Sequence, residues 1–313
     1  MKRSWSRLLR PSYVRYVAFN LISLMRPQFM LASLLLFGIG AFSVTDLNEV
    51  MERGSIAMLA AIAMVQLSAG LINEYTDWSG DRYARTTFFS GGSGVVATGQ
   101  IGASTALSLA VATLAIAVSL VIYAEKETDG RELLLPLFIS TALLAWGYSV
   151  RPFRFMERGF GEVLVAVLLA FGVPFISAYY ISGSFPSVLL PYSILLFLFG
   201  LAAIIGVEFP DKQADIRSRK RNMTYRFGVN MMARVQAILI FSGYGATVVL
   251  ALTGHIGLVN LLLLLTALFG WAAVTMMALF KYYSYEWARA TTTVVMSIFV
   301  ISMVLMVVDL AVF

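Results

Sequence analysis

Residues 54–81 read GSIAMLAAIAMVQLSAGLINEYTDWSGD, an apolar run that ends in a cluster of polar and acidic residues. The run up to residue 73 has the roughly 20 residues that a membrane-spanning helix needs. Comparable apolar runs lie at about 29–46, 102–123, 133–150, 162–182, 187–207, 232–253, 257–280 and 291–312. We therefore expect residues 1–313 to form a single all-α domain, a polytopic membrane bundle of nine transmembrane helices.

The composition agrees with a membrane protein. Hydrophobic residues make up 59% of the chain and charged residues only 13%, whereas an average soluble domain has roughly 25% charged residues. The absence of cysteine excludes disulfides and thiolate metal sites, and the single histidine, His255, excludes a multi-histidine metal site. Any chemistry must therefore come from carboxylates, amides, hydroxyls, lysines and arginines.

The net charge of +6 is distributed unevenly along the chain. If the N-terminus is cytoplasmic, every basic residue except Arg53, Lys126 and Arg131 falls on the cytoplasmic side, as the positive-inside rule requires. This asymmetry favours membrane topology over nucleic-acid binding as the origin of the charge. We expect an integral protein of a prokaryotic-type plasma membrane.

Residues 1–25 are basic and aromatic and lead directly into the first apolar run. This pattern is typical of a segment that lies along the membrane interface. Because a short apolar core with a small-residue cleavage site is missing, we do not expect a cleaved signal peptide.

The two cytoplasmic loops that follow the second and sixth runs each begin with polar residues at helical spacing. The first contains Asn73, Asp77 and Asp81, and the second contains Asp211 and Asp215. Residues four apart share one face of a helix. Four carboxylates at one membrane face repel one another and attract cations. Since Mg²⁺ binds through one or two carboxylates plus substrate phosphates, we predict that the four aspartates hold Mg²⁺.

Basic residues surround both acidic motifs, and carboxylates together with basic side chains indicate a metal-bridged polyphosphate. The predicted diphosphate-binding residues are Arg82, Arg154, Lys212, Lys220 and Arg221. Acids and bases beyond a spanning helix can also form a simple interfacial salt-bridge network. Two such clusters on one side argue against that alternative, although we expect Glu74 to be an ordinary interfacial charge.

Two further segments carry candidate site residues. SGGSG at residues 90–94 can turn its backbone N–H groups toward an anion, or can be a plain flexible loop. WGYSVRPFR at residues 146–154 contains Tyr148, which could be an interfacial aromatic or part of a site.

Together these motifs resemble the UbiA superfamily of intramembrane aromatic prenyltransferases. The resemblance rests on the two aspartate motifs, on the tyrosine and basic residues of the 146–154 segment, and on nine spans with both motifs cytoplasmic. It implies a helical bundle, open laterally to the bilayer, that binds an isoprenyl diphosphate through Mg²⁺. The catalytic residues that it implies are Asn73, Asp77, Asp81, Asp211, Asp215 and Tyr148.

Within the superfamily, FSGGSGVVATGQI at 89–101 and EFPDKQAD at 208–215 look most like the branch that prenylates 1,4-dihydroxy-2-naphthoate for menaquinone. An acceptor that bears a carboxylate needs a nearby cation, for which Arg26 and Arg151 are candidates. The alternative is another acceptor, such as 4-hydroxybenzoate or another quinone or lipid precursor. Val207 stands where many members have an asparagine, four positions before Asp211.

Two rival functions fit less well. SGDRYAR at 79–85 resembles part of the signature of CDP-alcohol phosphotransferases, but that family keeps its acids in one continuous motif, and here they form two distant clusters. A transporter would need ionisable residues deep within its spans, and the middles of these apolar runs contain almost none.

Overall fold

The computed structural model describes residues 11–218, 220–279 and 284–312, and within these ranges it is helical with no strand, which confirms the all-α class. The helices are α1 Pro11–Met25, α2 Pro27–Phe42, α3 Leu47–Val50, α4 Arg53–Asp81, α5 Ala103–Lys126, α6 Leu134–Gly147, α7 Phe155–Arg158, α8 Gly161–Val167, α9 Val173–Ser182, α10 Leu189–Ser218, α11 Met223–Phe227, α12 Val229–Leu252, α13 Ala267–Leu279 and α14 Tyr285–Val312. A π-helical turn, Leu168–Gly172, joins α8 to α9, and a 3₁₀ helix, Leu258–Thr266, precedes α13.

The described ranges contain seven helices that are long and apolar enough to cross a membrane, which is fewer than the nine predicted. An eighth span results if α1 and α2, which meet at a bend of 46°, are counted as one. The remaining apolar run forms α6, which has only 14 residues. At 1.5 Å per residue α6 is about 21 Å long, shorter than the ~30 Å hydrocarbon core.

The predicted interfacial segment at residues 1–25 lies only partly within the described ranges. Its residues 11–25 form α1, and residues 1–10 lie outside them. Leu24 and Asn20 of α1 are buried against the bundle. The interfacial position of the whole segment stays a prediction.

Helices α4 and α10 are the longest well-packed elements of the fold, with 29 and 30 residues. Each is about 43–45 Å long, which exceeds the hydrocarbon core by more than two helical turns. Both continue without a break beyond the apolar runs, which end near residues 73 and 207. The acidic motifs therefore lie on the last helical turns of α4 and α10, past the apolar part of each helix.

Pro210 lies inside α10, directly before the first aspartate of the second motif. A proline has no N–H, so it leaves the carbonyl of Gly206, four residues earlier, without its helical hydrogen bond. The hydroxyl of Thr292 on α14 donates to this carbonyl at 2.6 Å. The same hydroxyl lies 2.8 Å from the Ala288 carbonyl, and the shorter contact supplies the buried Gly206 carbonyl with a partner inside the bundle.

Two large buried clusters hold the bundle together. One is built around α10, α12 and α14, with Phe199, Phe209 and Ile205 among its fully buried side chains. The other joins α2, α4, α5, α6 and α9. The cavity described below opens between these two halves.

A buried hydrogen-bond network stabilises the end of the bundle opposite to the acidic motifs. Asp309 on α14 is 3% exposed and accepts hydrogen bonds from Tyr192 Oη on α10, from Gly257 N at 2.7 Å and from Asn260 Nδ2 at 2.8 Å. The carboxylate thus joins α10 and α14 to the start of the 3₁₀ helix. A side chain at Gly257 would collide with it, because a Cβ there would overlap Asp309 Oδ1.

We expect Asp309→Ala to lower the free energy of unfolding by about 3 kcal/mol, because it leaves buried donors of Tyr192, Gly257 and Asn260 without a partner. Tyr192→Phe should cost much less, since it removes a donor and leaves the carboxylate bonded to the other two. Thermal unfolding of the purified protein in detergent measures both. Equal midpoints for the two variants would contradict the described network.

Candidate active site

Asn73, Asp77 and Asp81 lie on one side of the last turns of α4 and line a cavity of about 430 Å³. Asp211 and Asp215, one turn apart near the end of α10, line the same cavity. The two motifs are far apart in the sequence, and the structure brings them together at one end of one cavity. This was the arrangement expected from their spacing.

Lys220 connects the two motifs. It follows α10 in the chain, yet its Nζ lies 2.9 Å from Asp77 Oδ2 of the first motif. Its backbone N–H donates to the Asp215 carbonyl at 3.0 Å, and Asn222 Nδ2 donates to Asp215 Oδ2 at 2.7 Å. Burial alone would lower the pKa of Lys220, but the neighbouring carboxylates of Asp77 and Asp215 raise that pKa well above its usual value. The lysine therefore remains charged.

Tyr148 follows α6 and lines the cavity from the side. Gly161, at the start of α8, allows the close packing of this ring, because a Cβ at Gly161 would lie 2.7 Å from Tyr148 Cε2. The neighbouring Ser149 Oγ donates to Asn73 Oδ1 at 2.8 Å, which ties the tyrosine segment to the first motif. Burial raises the pKa of Tyr148, so its hydroxyl stays neutral.

Arg26 and Arg154 also line the cavity. They are the two non-glycine residues with positive φ in the described ranges, at 48° and 41°, and each directly precedes a helix. Such backbone conformations cost about 1–3 kcal/mol and concentrate at functional sites. Arg26 Nη2 donates to the carbonyl of Phe89 at 3.1 Å, and Arg154 Nη1 forms an ion pair with Glu157 at 3.1 Å.

Four of the predicted basic residues do not line this cavity. Arg82 stacks on the Trp78 ring, with its Cζ 4.3 Å from the ring centroid, and donates to the Ala97 carbonyl. Lys212 lines a separate small pocket, and Arg151 and Arg221 are exposed. Their position does not support contact with the diphosphate or the acceptor, so these assignments stay predictions.

The expectation for Glu74 is wrong. Glu74 is 3% exposed, and its carboxylate accepts hydrogen bonds from Ser93 in the glycine-rich segment. Glu208, which is not part of the predicted site, also lines the cavity. No sequence signal identified Glu74, because its contact with the SGGSG segment depends on the tertiary structure.

The rest of the cavity is apolar and reaches toward the middle of the bundle. Its wall there comes from α2, α4, α6, the α8–α9 region, α10 and α14, and it includes Leu36, Ile62, Phe138, Ile176, Ile204, Phe299 and Met303. The cavity therefore has a polar end formed by the motifs and an apolar remainder.

The carboxylates fit a hard divalent cation. Asp211 Oδ1 is buried and has no hydrogen-bond partner among the described residues, so it is free to act as a ligand. In the described part of the chain, however, no three acidic or histidine side chains converge on one point as a ready metal site. Such a donor set suits Mg²⁺, which takes one or two carboxylates and completes its coordination with phosphate oxygens and water.

Several solved structures share this fold. A digeranylgeranylglyceryl phosphate synthase has a TM-score of 0.62 and 14% identity, covering 94% of this chain and 98% of its own. A UbiA homologue from Archaeoglobus fulgidus bound to GPP and Mg²⁺ has a TM-score of 0.61 and 14% identity, covering 92% and 99%. A UbiA homologue from Aeropyrum pernix K1 has a TM-score of 0.60 and 17% identity, covering 88% and 98%. At these identities the likeness establishes the fold alone.

Comparison with curated protein sequences finds no match. Residues 29–301, by contrast, match the family described as the UbiA prenyltransferase family. This range contains both acidic motifs, the tyrosine segment and the glycine-rich segment. Because the match extends over most of the chain, the protein belongs to the UbiA prenyltransferase family.

Proposed function

We propose that this prenyltransferase catalyses Mg²⁺-dependent transfer of a polyprenyl group from an isoprenyl diphosphate to 1,4-dihydroxy-2-naphthoate, a step in menaquinone synthesis. The observation that carries the proposal is the division of one cavity into an end with four aspartates and a lysine and an apolar remainder. An isoprenyl diphosphate has the same division, between a charged head and a hydrocarbon tail. The A. fulgidus structure with GPP and Mg²⁺ supports the same substrate class.

At the polar end, Asp77, Asp81, Asp211 and Asp215 would hold Mg²⁺. When bound, Mg²⁺ would neutralise charge on the diphosphate, so that pyrophosphate becomes a better leaving group. Lys220 and Arg154 line this cavity as fixed cations and add to the stabilisation of the leaving charge. Asn73, held by Ser149, would help to orient the diphosphate.

The reaction breaks the bond between the allylic carbon and the diphosphate oxygen, and pyrophosphate leaves with the electron pair. The allylic cation has to meet an aromatic ring before it meets water, so the apolar wall of the cavity contributes by excluding water. Tyr148 lines the cavity as a neutral aromatic ring, and its π face can stabilise the cation.

The acceptor ring then attacks the allylic carbon and forms a carbon–carbon bond. With 1,4-dihydroxy-2-naphthoate as acceptor, the ring carboxylate leaves as CO₂, and its bonding electrons restore the aromatic ring. Arg26 lines the cavity and is better placed than the exposed Arg151 to hold that carboxylate. The 89–101 and 208–215 segments look most like those of the naphthoate branch, which favours this acceptor.

A different acceptor is the second candidate. A lipid precursor, as in the digeranylgeranylglyceryl phosphate synthase that shares the fold, is one alternative, and 4-hydroxybenzoate is the quinone-type alternative. The charge asymmetry supports a cytoplasmic position for the motif end, because Arg53, Lys126 and Arg131 lie at the opposite end of α4, α5 and α6.

We expect membranes that contain the protein to transfer a labelled polyprenyl group to 1,4-dihydroxy-2-naphthoate with release of CO₂. Parallel reactions with 4-hydroxybenzoate and with geranylgeranylglyceryl phosphate test the other acceptors. Chromatography of the extracted lipids measures the products. Transfer to one of the other two acceptors alone would replace the naphthoate assignment, and no transfer to any acceptor would reject the proposed function.

We expect Asp77→Ala and Asp211→Ala each to lower kcat by about 10²-fold or more, since each removes a charged group from the polar end of the cavity. Initial rates at saturating substrate measure the effect. Asp129→Ala is the matched control, because Asp129 is exposed at the opposite end of the bundle. This variant should retain full activity. Full activity of either cavity variant would contradict the assignment.

Removal of divalent cations should abolish transfer, because the aspartates alone cannot neutralise the diphosphate. The test is to treat membranes with a chelator, measure turnover, and then add Mg²⁺ in excess. We expect activity to return with Mg²⁺. Undiminished turnover in the chelator would show that the aspartates act without a metal.

A further inference from the structure

Glu74 lies next to Asn73 on α4, but its side chain turns to the glycine-rich segment. Its two carboxylate oxygens bind one residue of that segment. Oε1 accepts from the Ser93 backbone N–H, and Oε2 accepts from Ser93 Oγ at 2.9 Å. A carboxylate buried at 3% exposure therefore holds Ser93 by both of its donors.

The residues just before Ser93 lie between the two acidic motifs. Gly91 N–H donates to Asp211 Oδ2 at 2.8 Å. Gly91 and Gly92 have φ of 82° and 66°, and a Cβ at Gly92 would lie 2.5 Å from Asp81 Oδ2. Only glycine fits here, because the backbone is left-handed and the carboxylate of the first motif is in the way.

The amide of Gly92 is an open donor at this point. Gly92 lines the cavity, and its N–H has no hydrogen-bond partner within the described ranges, whereas the amides on either side are both bonded. Backbone N–H groups presented by a turn can bind anions. The segment thus offers a backbone donor beside the aspartates, in addition to the side chain of Lys220.

The other side of the segment is attached to the break between α1 and α2. Gln28 Nε2 donates to the Phe88 carbonyl at 2.7 Å, and Arg26 Nη2 donates to the Phe89 carbonyl. The Glu74 carboxylate is the attachment next to the glycines on their downstream side, and the bond of Arg82 to the Ala97 carbonyl and the buried side chains of Val95 and Val96 follow further along the chain. Without it, the position of Gly91 and Gly92 would depend on the upstream contacts, on the bond to Asp211 and on these more distant contacts.

We propose that Glu74 is a positioning residue of the reaction: by holding Ser93 it keeps the amide of Gly92 at the polar end of the cavity, where it donates a hydrogen bond to the substrate diphosphate while the Gly91 amide stays bonded to Asp211. The proposal rests on the proposed function for its ligand, an isoprenyl diphosphate. It assigns to the glycine-rich segment the binding of the leaving group, and not of the acceptor.

The test compares Glu74→Ala, Glu74→Gln and Ser93→Ala in the full-length protein. Glutamine keeps the shape and an acceptor oxygen for the Ser93 amide. Ser93→Ala removes the hydroxyl, with its bonds to Glu74 and to the Val95 amide, but keeps the bond of the Ser93 amide to Glu74. Both variants therefore retain part of the attachment. Glu132→Ala is the control, because Glu132 is exposed in the loop before α6, at the other end of the bundle. Binding of geranyl diphosphate with Mg²⁺ is measured directly, without an acceptor.

We expect Glu74→Ala to weaken geranyl diphosphate binding by about tenfold or more, as loss of charge-assisted hydrogen bonds does. Glu74→Gln and Ser93→Ala should show smaller losses, and Glu132→Ala none. In steady-state assays, KM for the diphosphate should rise while KM for the acceptor stays unchanged. A loss of folded protein alone would lower the apparent kcat and leave both KM values as they were.

Trypsin provides a second measurement that needs no substrate. Arg85 is exposed just before the segment, and cleavage after it should be faster in Glu74→Ala than in the wild type. Unchanged geranyl diphosphate binding in Glu74→Ala, or in both milder variants if Glu74→Ala does not fold, would overturn the proposal. An unchanged rate of tryptic cleavage after Arg85 in Glu74→Ala would also overturn the proposal. If geranyl diphosphate binds but no acceptor is prenylated, the proposed function fails and the role of Glu74 in diphosphate binding stands.

Discussion

The ion pair between Lys220 and Asp77 connects the ends of α4 and α10, and the polar end of the cavity depends on this connection. The aspartates of the two motifs carry like charges, so bringing them together costs electrostatic free energy unless cations lie between them. Lys220 belongs to the loop of the second motif but pairs with the first. Its backbone and its neighbour Asn222 are bonded to Asp215. One lysine therefore sets the relative position of both motifs before any metal or diphosphate enters.

The length of α4 and α10 explains why the cavity has two kinds of wall. Both helices cross the apolar layer and continue for further turns, so one continuous surface changes from apolar side chains to carboxylates along its length. Pro210 would interrupt this continuity, but Thr292 takes over the hydrogen bond that the proline cannot make. The second motif can therefore remain on the same rigid helix that lines the apolar part of the cavity.

The loops between the spans contribute the remaining polar groups of the cavity. Left-handed backbone conformations at a few loop residues set the position of these groups. Arg26 and Arg154 adopt left-handed conformations, as do Gly91 and Gly92. These residues lie on connections between helices, where the chain can turn a side chain or an amide into the cavity. The rigid bundle positions the aspartates, and the loops place hydrogen-bond donors around them.

The sequence alone determined the all-α membrane class, the approximate position of the helices and the two aspartate motifs, because these depend on apolar length and on the 3.6-residue period of a helix. It did not determine that α6 would be too short to cross a membrane alone, or which basic residues among many would face the cavity.

The role of Glu74 was also decided only by the tertiary structure. Spacing along α4 tells which residues share a face with Asp77, but not that the adjacent face meets Ser93. Contacts between segments distant in the chain, such as Lys220 with Asp77 and Gly91 with Asp211, depend on how the helices pack, and no local pattern in the sequence encodes that.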